Sequence, residues 1–214
     1  MASAPVTYYR FEESSEIILD SANSPVPPQS NAQNGINDGA TLGVPGPWPG
    51  DILGGEPIGA VGFDPRNLAA DFDGFGFLGD RFTAASSQFN QLDEGPYSFE
   101  LFFKSDSTGA GLHQNVISKG TCCDRNSWFL LYAGTSGGPL TQGHLRFGID
   151  DGGNGEFVDS TISLAPNEWS HLAGTYDPIT GEARLYVNGQ LEVSGTLTGS
   201  PTPSDGAPLA VSHW

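Results

Sequence analysis

The chain has 214 residues, and 25 acidic side chains against eight basic ones give it a net charge of −17. Nucleic-acid binding depends on cationic side chains, so this charge excludes a protein that binds nucleic acid. The 30 glycines and 16 prolines form about a fifth of the chain, against roughly an eighth in average proteins. Both residues interrupt helices, which excludes a helical bundle or a coiled coil.

The chain contains no apolar run that approaches the roughly 18 residues of a membrane span, so we expect none. The first residues, Met1 to Pro5, have neither the basic nor the apolar segment of a signal peptide. We expect an exported protein, extracellular or at the cell surface, whose signal peptide is not present in this chain. The excess of acidic side chains would then keep the exported protein soluble.

Residues 20 to about 62 hold many of the prolines and show neither a helical period nor strand alternation. Loops of this length are rare unless they cover or bind something. We predict a long surface loop here, with at most one or two short strands. It belongs to a single domain that covers residues 1–214.

Short runs with alternating apolar and polar residues follow from about residue 68, with turn residues about every ten positions. Strands are predicted at residues 6–11, 97–103, 115–119, 127–132, 144–149, 161–164, 169–176, 182–187 and 190–193. The pair Asn188-Gly189 predicts a type I′ turn, because both central positions of that turn need a positive φ. This spacing favours an all-β sandwich of two antiparallel sheets.

Sugar binding requires aromatic ring faces beside polar oxygens, and the candidate platforms are Trp48, Trp128 and Tyr132. Trp48 lies in the proline-rich segment and is expected to be the most exposed. Trp128 lies in a mostly apolar strand, where packing in the core is the stronger interpretation.

One glycine-rich turn concentrates carboxylate and amide oxygens, at Asp150, Asp151, Asn154 and Glu156. Calcium takes roughly six to eight oxygen ligands, and glycine lets backbone carbonyls turn inward. The turn is therefore a candidate Ca²⁺ site. The alternative is a plain hairpin of glycine and asparagine between two strands.

The two cysteines, Cys122 and Cys123, are adjacent, and there is no third cysteine. Three states remain open: a vicinal disulfide, two free thiols, or bridges between molecules. For an exported protein we favour the vicinal disulfide, which would stiffen the loop that contains it.

The usual catalytic motifs are missing from the sequence, including G-x-S-x-G, H-E-x-x-H, the P-loop and C-x-x-C. Sandwich glycosidases use two carboxylates, and no strand carries a pattern that places several acids on one face. The sequence therefore favours a protein without catalytic activity.

Two runs resemble the hallmark hairpins of laminin-G-like, concanavalin-A-like jelly-roll domains of bacterial exported proteins: residues 168–177 (EWSHLAGTYD) and 180–190 (TGEARLYVNGQ). Residues 97–104 (YSFELFFK) resemble an earlier core strand of the same family. The resemblance implies a jelly-roll sandwich. It leaves the function open, because this fold carries lectins, adhesins, glycosidases and lyases.

We therefore expect a non-catalytic carbohydrate-binding or adhesion module, with Ca²⁺ as a candidate cofactor and a glycan or cell-surface polysaccharide as partner. The resembling family usually has one more strand after residues 208–211, and here the chain stops at Trp214. An open sheet edge is a template for another chain. We expect either that the chain is truncated or has a short closing strand that the sequence does not reveal, or that a neighbour supplies the strand. The first alternative function is therefore a homo-oligomer or filament completed by strand exchange. A polysaccharide-active hydrolase or lyase is the second.

Overall fold

The computed structural model describes residues 9–19, 34–47, 52–53, 56–57, 67–72, 80–84, 92, 95–105, 114–121, 125–132, 141–150, 155–199, 201 and 207–212. These ranges contain sixteen β-strands, numbered in chain order. Their bounds are Ile17–Ile18 (β1), Gly35–Asp38 (β2), Thr41–Pro45 (β3), Ile52–Leu53 (β4), Glu56–Pro57 (β5), Leu68–Asp71 (β6), Arg81–Ala84 (β7), Tyr97–Phe103 (β8), Gln114–Thr121 (β9), Arg125–Tyr132 (β10), Leu145–Ile149 (β11), Glu156–Asp159 (β12), Ser170–Asp177 (β13), Glu182–Val187 (β14), Gln190–Thr196 (β15) and Leu209–Val211 (β16).

Two antiparallel sheets carry most of these strands. The large sheet has the order β1-β2-β7-β16-β9-β10-β11-β12, and the four-stranded sheet has the order β15-β14-β13-β8. Two further pairs, β3 with β6 and β4 with β5, form separate two-stranded sheets. The fold is therefore the predicted all-β antiparallel jelly roll. Among the described residues, no helix has the length and hydrophobicity needed to cross a membrane.

The core lies between the two main sheets, where each strand contributes every second side chain. In β13, Leu172, Gly174 and Tyr176 are buried, and Ala173 and Thr175 between them are partly exposed. Across the core, the ring of Phe99 in β8 stacks on Trp128 in β10, with 5.5 Å between ring centroids and 2° between planes. Burying one such side chain stabilises the fold by about 1.5–3 kcal/mol.

The predicted Asn188-Gly189 turn joins β14 to β15, and the structure confirms its geometry. The φ angles are 52° at Asn188 and 76° at Gly189, as a type I′ turn requires. The Asn188 side chain also accepts a hydrogen bond of 2.9 Å from the backbone N–H of His171 in β13. The turn therefore fixes the register of three neighbouring strands.

The sequence predicted too few strands for residues 20–62. The described part of this segment holds β2, β3, β4 and β5, and β2 is an integral strand of the large sheet, between β1 and β7. These strands are two to five residues long. Alternation cannot be recognised over so few residues, which is why the sequence did not show them.

The predicted strand at residues 161–164 is wrong, and the strand lies just before it, in β12. Glu156–Asp159 pairs with β11, whereas the segment after it forms no strand. The carboxylate of Glu192 accepts hydrogen bonds from the backbone N–H groups of Thr161 (2.7 Å) and Ile162 (3.1 Å). These two donors are therefore not available to a sheet.

The last described strand, β16, pairs with β7 on one side and with β9 on the other. Residues 209–211 therefore lie inside the large sheet. The strand-exchange alternative concerns the predicted opening strand, and residues 6–8 of that strand fall outside the described residues. Exchange between copies therefore stays a prediction.

Candidate functional site

Cross-strand register decides which side chains of the large sheet face away from the core. In β10, the buried residues Trp128 and Leu130 pair with Ile149 and Phe147 of β11, which are also buried. Side chains alternate between the two faces of a sheet. The positions between these pairs, such as Phe129, therefore point to the outer face.

A β-bulge in β9 places Asn115 on that outer face. Ile117 pairs with Leu130, but Asn115 pairs with Leu131, so Val116 is an inserted residue. Without the insertion, Asn115 would pair with Tyr132 and face the core, because a slip of one residue exchanges the two faces.

The amide of Asn115 is buried and only half satisfied. The residue is 5% exposed, and its Nδ2 donates a 2.8 Å hydrogen bond to Oγ of Ser118, which is also buried. Among the described residues, nothing donates a hydrogen bond to its Oδ1. Polar atoms buried in this way are nearly always paired, so this oxygen is a candidate contact for a ligand.

An arginine and an aspartate occupy the same outer face two strands away. Arg146 in β11 donates two hydrogen bonds to Asp159 in β12, from Nε to Oδ1 (2.7 Å) and from Nη2 to Oδ2 (2.8 Å). The guanidinium carbon also lies 3.4 Å from the ring centroid of Phe157. Two hydrogen bonds and a ring contact hold this arginine in one orientation.

Gly148 lets two aromatic side chains converge over β11. A Cβ atom at this position would lie 2.9 Å from Cζ of Phe129 and 2.8 Å from Cβ of Phe157. Any larger residue would therefore separate the two. The outcome is an apolar surface beside the polar groups of Arg146 and Asp159.

These side chains share one face of four adjacent strands, which spans about 14 Å at the usual strand spacing. The face combines an unpaired buried amide oxygen, an oriented charge pair and aromatic carbon. Such a mixture can hold a ligand that has both hydroxyl groups and an apolar side. We call it the β9–β12 site, and it consists of Asn115, Ser118, Phe129, Arg146, Phe157 and Asp159.

Two of the predicted aromatic platforms face the core and not the solvent. Trp128 is 1% exposed and Tyr132 is 0% exposed. Trp128 stacks on Phe99 and on Tyr97, and Tyr132 contacts Phe103. A buried ring cannot present a face to a sugar, so the structure assigns both residues to packing.

Glu156 of the predicted calcium turn is the first residue of β12. Its carboxylate accepts a 2.6 Å hydrogen bond from the hydroxyl of Thr198 and others from the N–H groups of Thr198 and Gly199. The Thr198 hydroxyl and these N–H groups hold the pKa of Glu156 below its ordinary value. Both oxygens thus accept hydrogen bonds within the chain, and the predicted calcium role of Glu156 stays a prediction.

The other member of that turn that the structure describes, Asp150, also has a polar contact within the chain. Among the described residues, no three side chains of His, Cys, Asp or Glu gather as a metal site would require. The remaining predicted site residues, Asp151, Asn154, Trp48, Cys122 and Cys123, fall outside the described residues. The predictions about them stay predictions.

Sequence reasoning did not find the β9–β12 site. Its signal is a set of polar residues at positions that flank apolar core residues, as in Leu145-Arg146-Phe147. That pattern is common to many half-buried strands. The bulge that turns Asn115 outward depends on pairing between strands and leaves no mark in the local sequence.

Two shallow depressions lie elsewhere on the molecule. One, of about 360 Å³, adjoins the Arg184–Glu182 ion pair at the end of the four-stranded sheet. The other, of about 520 Å³, adjoins the Arg81–Asp38 ion pair on β2 and β7. The second is also lined by Asn37, whose buried Oδ1 lacks a partner among the described residues. Neither lining combines an unpaired amide oxygen with an aromatic ring, so the β9–β12 site is the stronger candidate.

Comparison with known proteins agrees with this architecture. A laminin G family model, described as the concanavalin A-like lectin/glucanases superfamily, matches residues 79–212. The chain belongs to this superfamily. The match includes all four strands of the β9–β12 site. No curated protein matches the chain.

Solved structures show the same fold at low sequence identity. The binding domain of Paraclostridial Mosquitocidal Protein 1 aligns with a TM-score of 0.62 and 12% identity, over 94% of this chain and 42% of that one. The binding domain of botulinum neurotoxin DC, in complex with rat synaptotagmin II, aligns with a TM-score of 0.60 and 10% identity, over 98% and 43%. The chain thus spans less than half the length of these proteins.

Proposed function

We propose that the chain is a non-catalytic, extracellular carbohydrate-binding module that holds a glycan or a cell-surface polysaccharide on the β9–β12 site. The observation that carries the proposal is the buried Oδ1 of Asn115, which no described residue satisfies. A buried acceptor without a partner costs about 1–3 kcal/mol. A sugar hydroxyl is a donor that would remove this cost.

The aromatic part of the site supports the same ligand class. Phe157 is 42% exposed although the guanidinium of Arg146 lies against its ring, and Phe129 is half-buried beside it. A sugar ring carries C–H groups on one side and hydroxyl groups around its rim. It can therefore cover aromatic carbon and donate hydrogen bonds at the same time.

The carboxylate of the site supports binding without hydrolysis. Glycosidases use one carboxyl group as an acid and a second as a nucleophile or base. Both oxygens of Asp159 accept hydrogen bonds from Arg146, so this carboxylate is held as a structural acceptor. A superfamily that unites lectins with glucanases is compatible with either activity, and the use of Asp159 favours the lectin.

The test is a glycan array followed by calorimetric titration of the glycans that bind, with wild-type protein and Asn115→Ala. We expect the variant to lose about tenfold in affinity, the equivalent of one hydrogen bond to a ligand. Its unfolding free energy should barely change, because losing the bond to Ser118 is offset by removing the unpaired oxygen.

The matched control is Thr175→Ala, which removes a polar side chain from the outer face of the four-stranded sheet and should leave affinity unchanged. If wild-type protein binds no glycan, the proposed function is wrong. If Asn115→Ala binds as tightly as wild type, the site is wrong. Titration in EDTA and in calcium addresses the remaining prediction of a Ca²⁺ cofactor, which equal affinities would contradict.

A further inference from the structure

The β9–β12 site offers both hydrogen-bond acceptors and hydrogen-bond donors. The orphan Oδ1 of Asn115 is an acceptor. The two oxygens of Asp159 each accept one bond from Arg146, and a carboxylate oxygen can accept a second. Nδ2 of Asn115 and two nitrogens of Arg146 each donate one bond within the chain, and both groups carry further N–H donors.

The cation in the site is already compensated. Arg146 forms a two-bond pair with Asp159, and the arginine side chain is only 11% exposed. Its guanidinium also lies 3.4 Å from the ring centroid of Phe157. An incoming anion would have to displace Asp159 to reach this charge, or approach with that carboxylate in place and be repelled by it.

The charge of the whole chain acts in the same direction. With a net charge of −17, the protein repels an acidic polysaccharide before contact. Specificity arises as much from such repulsion as from good contacts.

We infer that the β9–β12 site is selective for neutral glycans, whose hydroxyl groups donate hydrogen bonds, and that it rejects glycans carrying carboxylate groups. The inference rests on the proposed function. It adds the class of sugar, which follows from the paired state of Arg146 and the net negative charge of the chain. Either kind of sugar can donate a hydroxyl to Oδ1, but the carboxylate of an acidic sugar is also repelled by Asp159, which already holds Arg146.

The test compares ligands that differ only in charge. The array carries oligosaccharides that contain uronate or sialate, each beside the same oligosaccharide after carboxyl reduction, together with common neutral glycans. We expect binding to be confined to the neutral and reduced members, with an affinity at least about tenfold above that of each acidic parent.

Asp159→Asn removes the repelling carboxylate and frees the charge of Arg146. We expect this variant to bind the acidic parents about tenfold better, so that the selectivity falls by that factor. Glu182→Gln is the matched control, because it makes the same charge change and frees Arg184 from a similar pair on the other sheet. The control should keep the wild-type selectivity.

The possible outcomes distinguish failure of this inference from failure of the proposed function. Preference for the acidic parents, or selectivity that Asp159→Asn leaves unchanged, overturns the inference while the carbohydrate-binding function stands. Failure to bind any member of the array overturns the function and the inference together. Loss of selectivity in the Asp159→Asn variant alone supports both.

Discussion

The outer faces of the two main sheets use their polar side chains in opposite ways. On the four-stranded sheet, the Glu100 side chain is 79% exposed and lies 3.6 Å from Nε2 of His171, and Arg184 is paired with Glu182 in a half-exposed position. On the large sheet, Asn115 and Ser118 are buried, and one amide oxygen lacks a partner among the described residues. Water can satisfy the first face, whereas under the proposed function a ligand satisfies the second.

This difference is the basis for placing the proposed site on the large sheet. Exposed ion pairs contribute about 0–1 kcal/mol, so the four-stranded face can change without consequence. A buried polar atom without a partner weakens the fold. Among the described residues, the core holds two others, Nε1 of Trp128 and the hydroxyl of Tyr132, but only Asn115 has such an atom on the outer face beside charged and aromatic groups. The comparison therefore predicts that substitutions on the two faces separate stability from binding.

The largest expected effect is a loss of stability on substitution of Gly148, over which Phe129 and Phe157 converge. A Cβ there would lie 2.4 Å from the carbonyl oxygen of Glu156, which belongs to the sheet backbone and cannot move aside. In the four-stranded sheet, a Cβ on Gly174 would meet the ring of Phe99 at 2.5 Å. A ring can shift more easily than a strand.

We therefore expect Gly148→Ala to destabilise the protein by about 2–3 kcal/mol and Gly174→Ala by about 1–2 kcal/mol. Urea denaturation of the two variants, compared at equal m-value, measures the difference. A smaller cost at Gly148 would mean that β12, which carries Glu156 and Phe157, does not approach Gly148 as closely as the structure shows.

A second, smaller effect tests how the two sheets are joined at their edges. Glu156 in β12 accepts hydrogen bonds from Thr198 and Gly199, just after β15. Glu192 in β15 accepts hydrogen bonds from Thr161 and Ile162, just after β12. Each edge strand thus holds the segment that follows the other edge strand. Both sets of hydrogen bonds are strongest when the carboxylate is ionised.

The two pKa values give the direction of the pH effect. The Thr198 hydroxyl and the nearby N–H groups lower the pKa of Glu156 from 4.5. Burial alone would raise the pKa of Glu192, but the bonds from Thr161 and Ile162 outweigh it and lower the value from 4.5. A lowered folded-state pKa contributes stability above pH 4.5 that is lost as the pH falls through the folded value.

We expect the melting temperature to fall as the pH is lowered from about 6 to about 3, and to fall less in the double variant Glu156→Gln, Glu192→Gln. Calorimetric scans across this range measure the slope. The control pair Glu100→Gln, Glu182→Gln removes two carboxylates from the four-stranded face and should keep the wild-type slope. Equal slopes in all three proteins would mean that the two carboxylates do not join the sheets.

The sequence was sufficient for the parts of the fold that rest on local patterns. Alternation over six or seven residues located β8 and β14 at their observed bounds, and the Asn188-Gly189 turn followed from its need for positive φ. Short strands in the proline-rich segment lack enough residues to alternate, so the strand count there was wrong.

The candidate site depends on pairing between strands and could not be found in this way. Asn115 faces outward only because Val116 is inserted opposite β10, and Arg146 meets Asp159 only through the register of β11 and β12. Aromatic residue type suggested Trp128 and Tyr132 instead. Large aromatic rings serve equally well for packing in a core and for binding a sugar. Residue type alone does not decide between these two roles.

The smallest expected effect is a loss of stability at Gly189, in the turn between β14 and β15 of the four-stranded sheet. It distinguishes the roles of the two sheets most directly. The φ of 76° at Gly189 is strained for any residue with a Cβ, but a Cβ there would meet nothing within 4 Å. Gly189→Ala should therefore cost about 1 kcal/mol through backbone strain alone. Glycan affinity, measured by titration on the folded variant, should stay at the wild-type value because the turn belongs to the sheet without the site. A loss of affinity with so small a loss of stability would place ligand contacts on the four-stranded sheet and reverse the comparison.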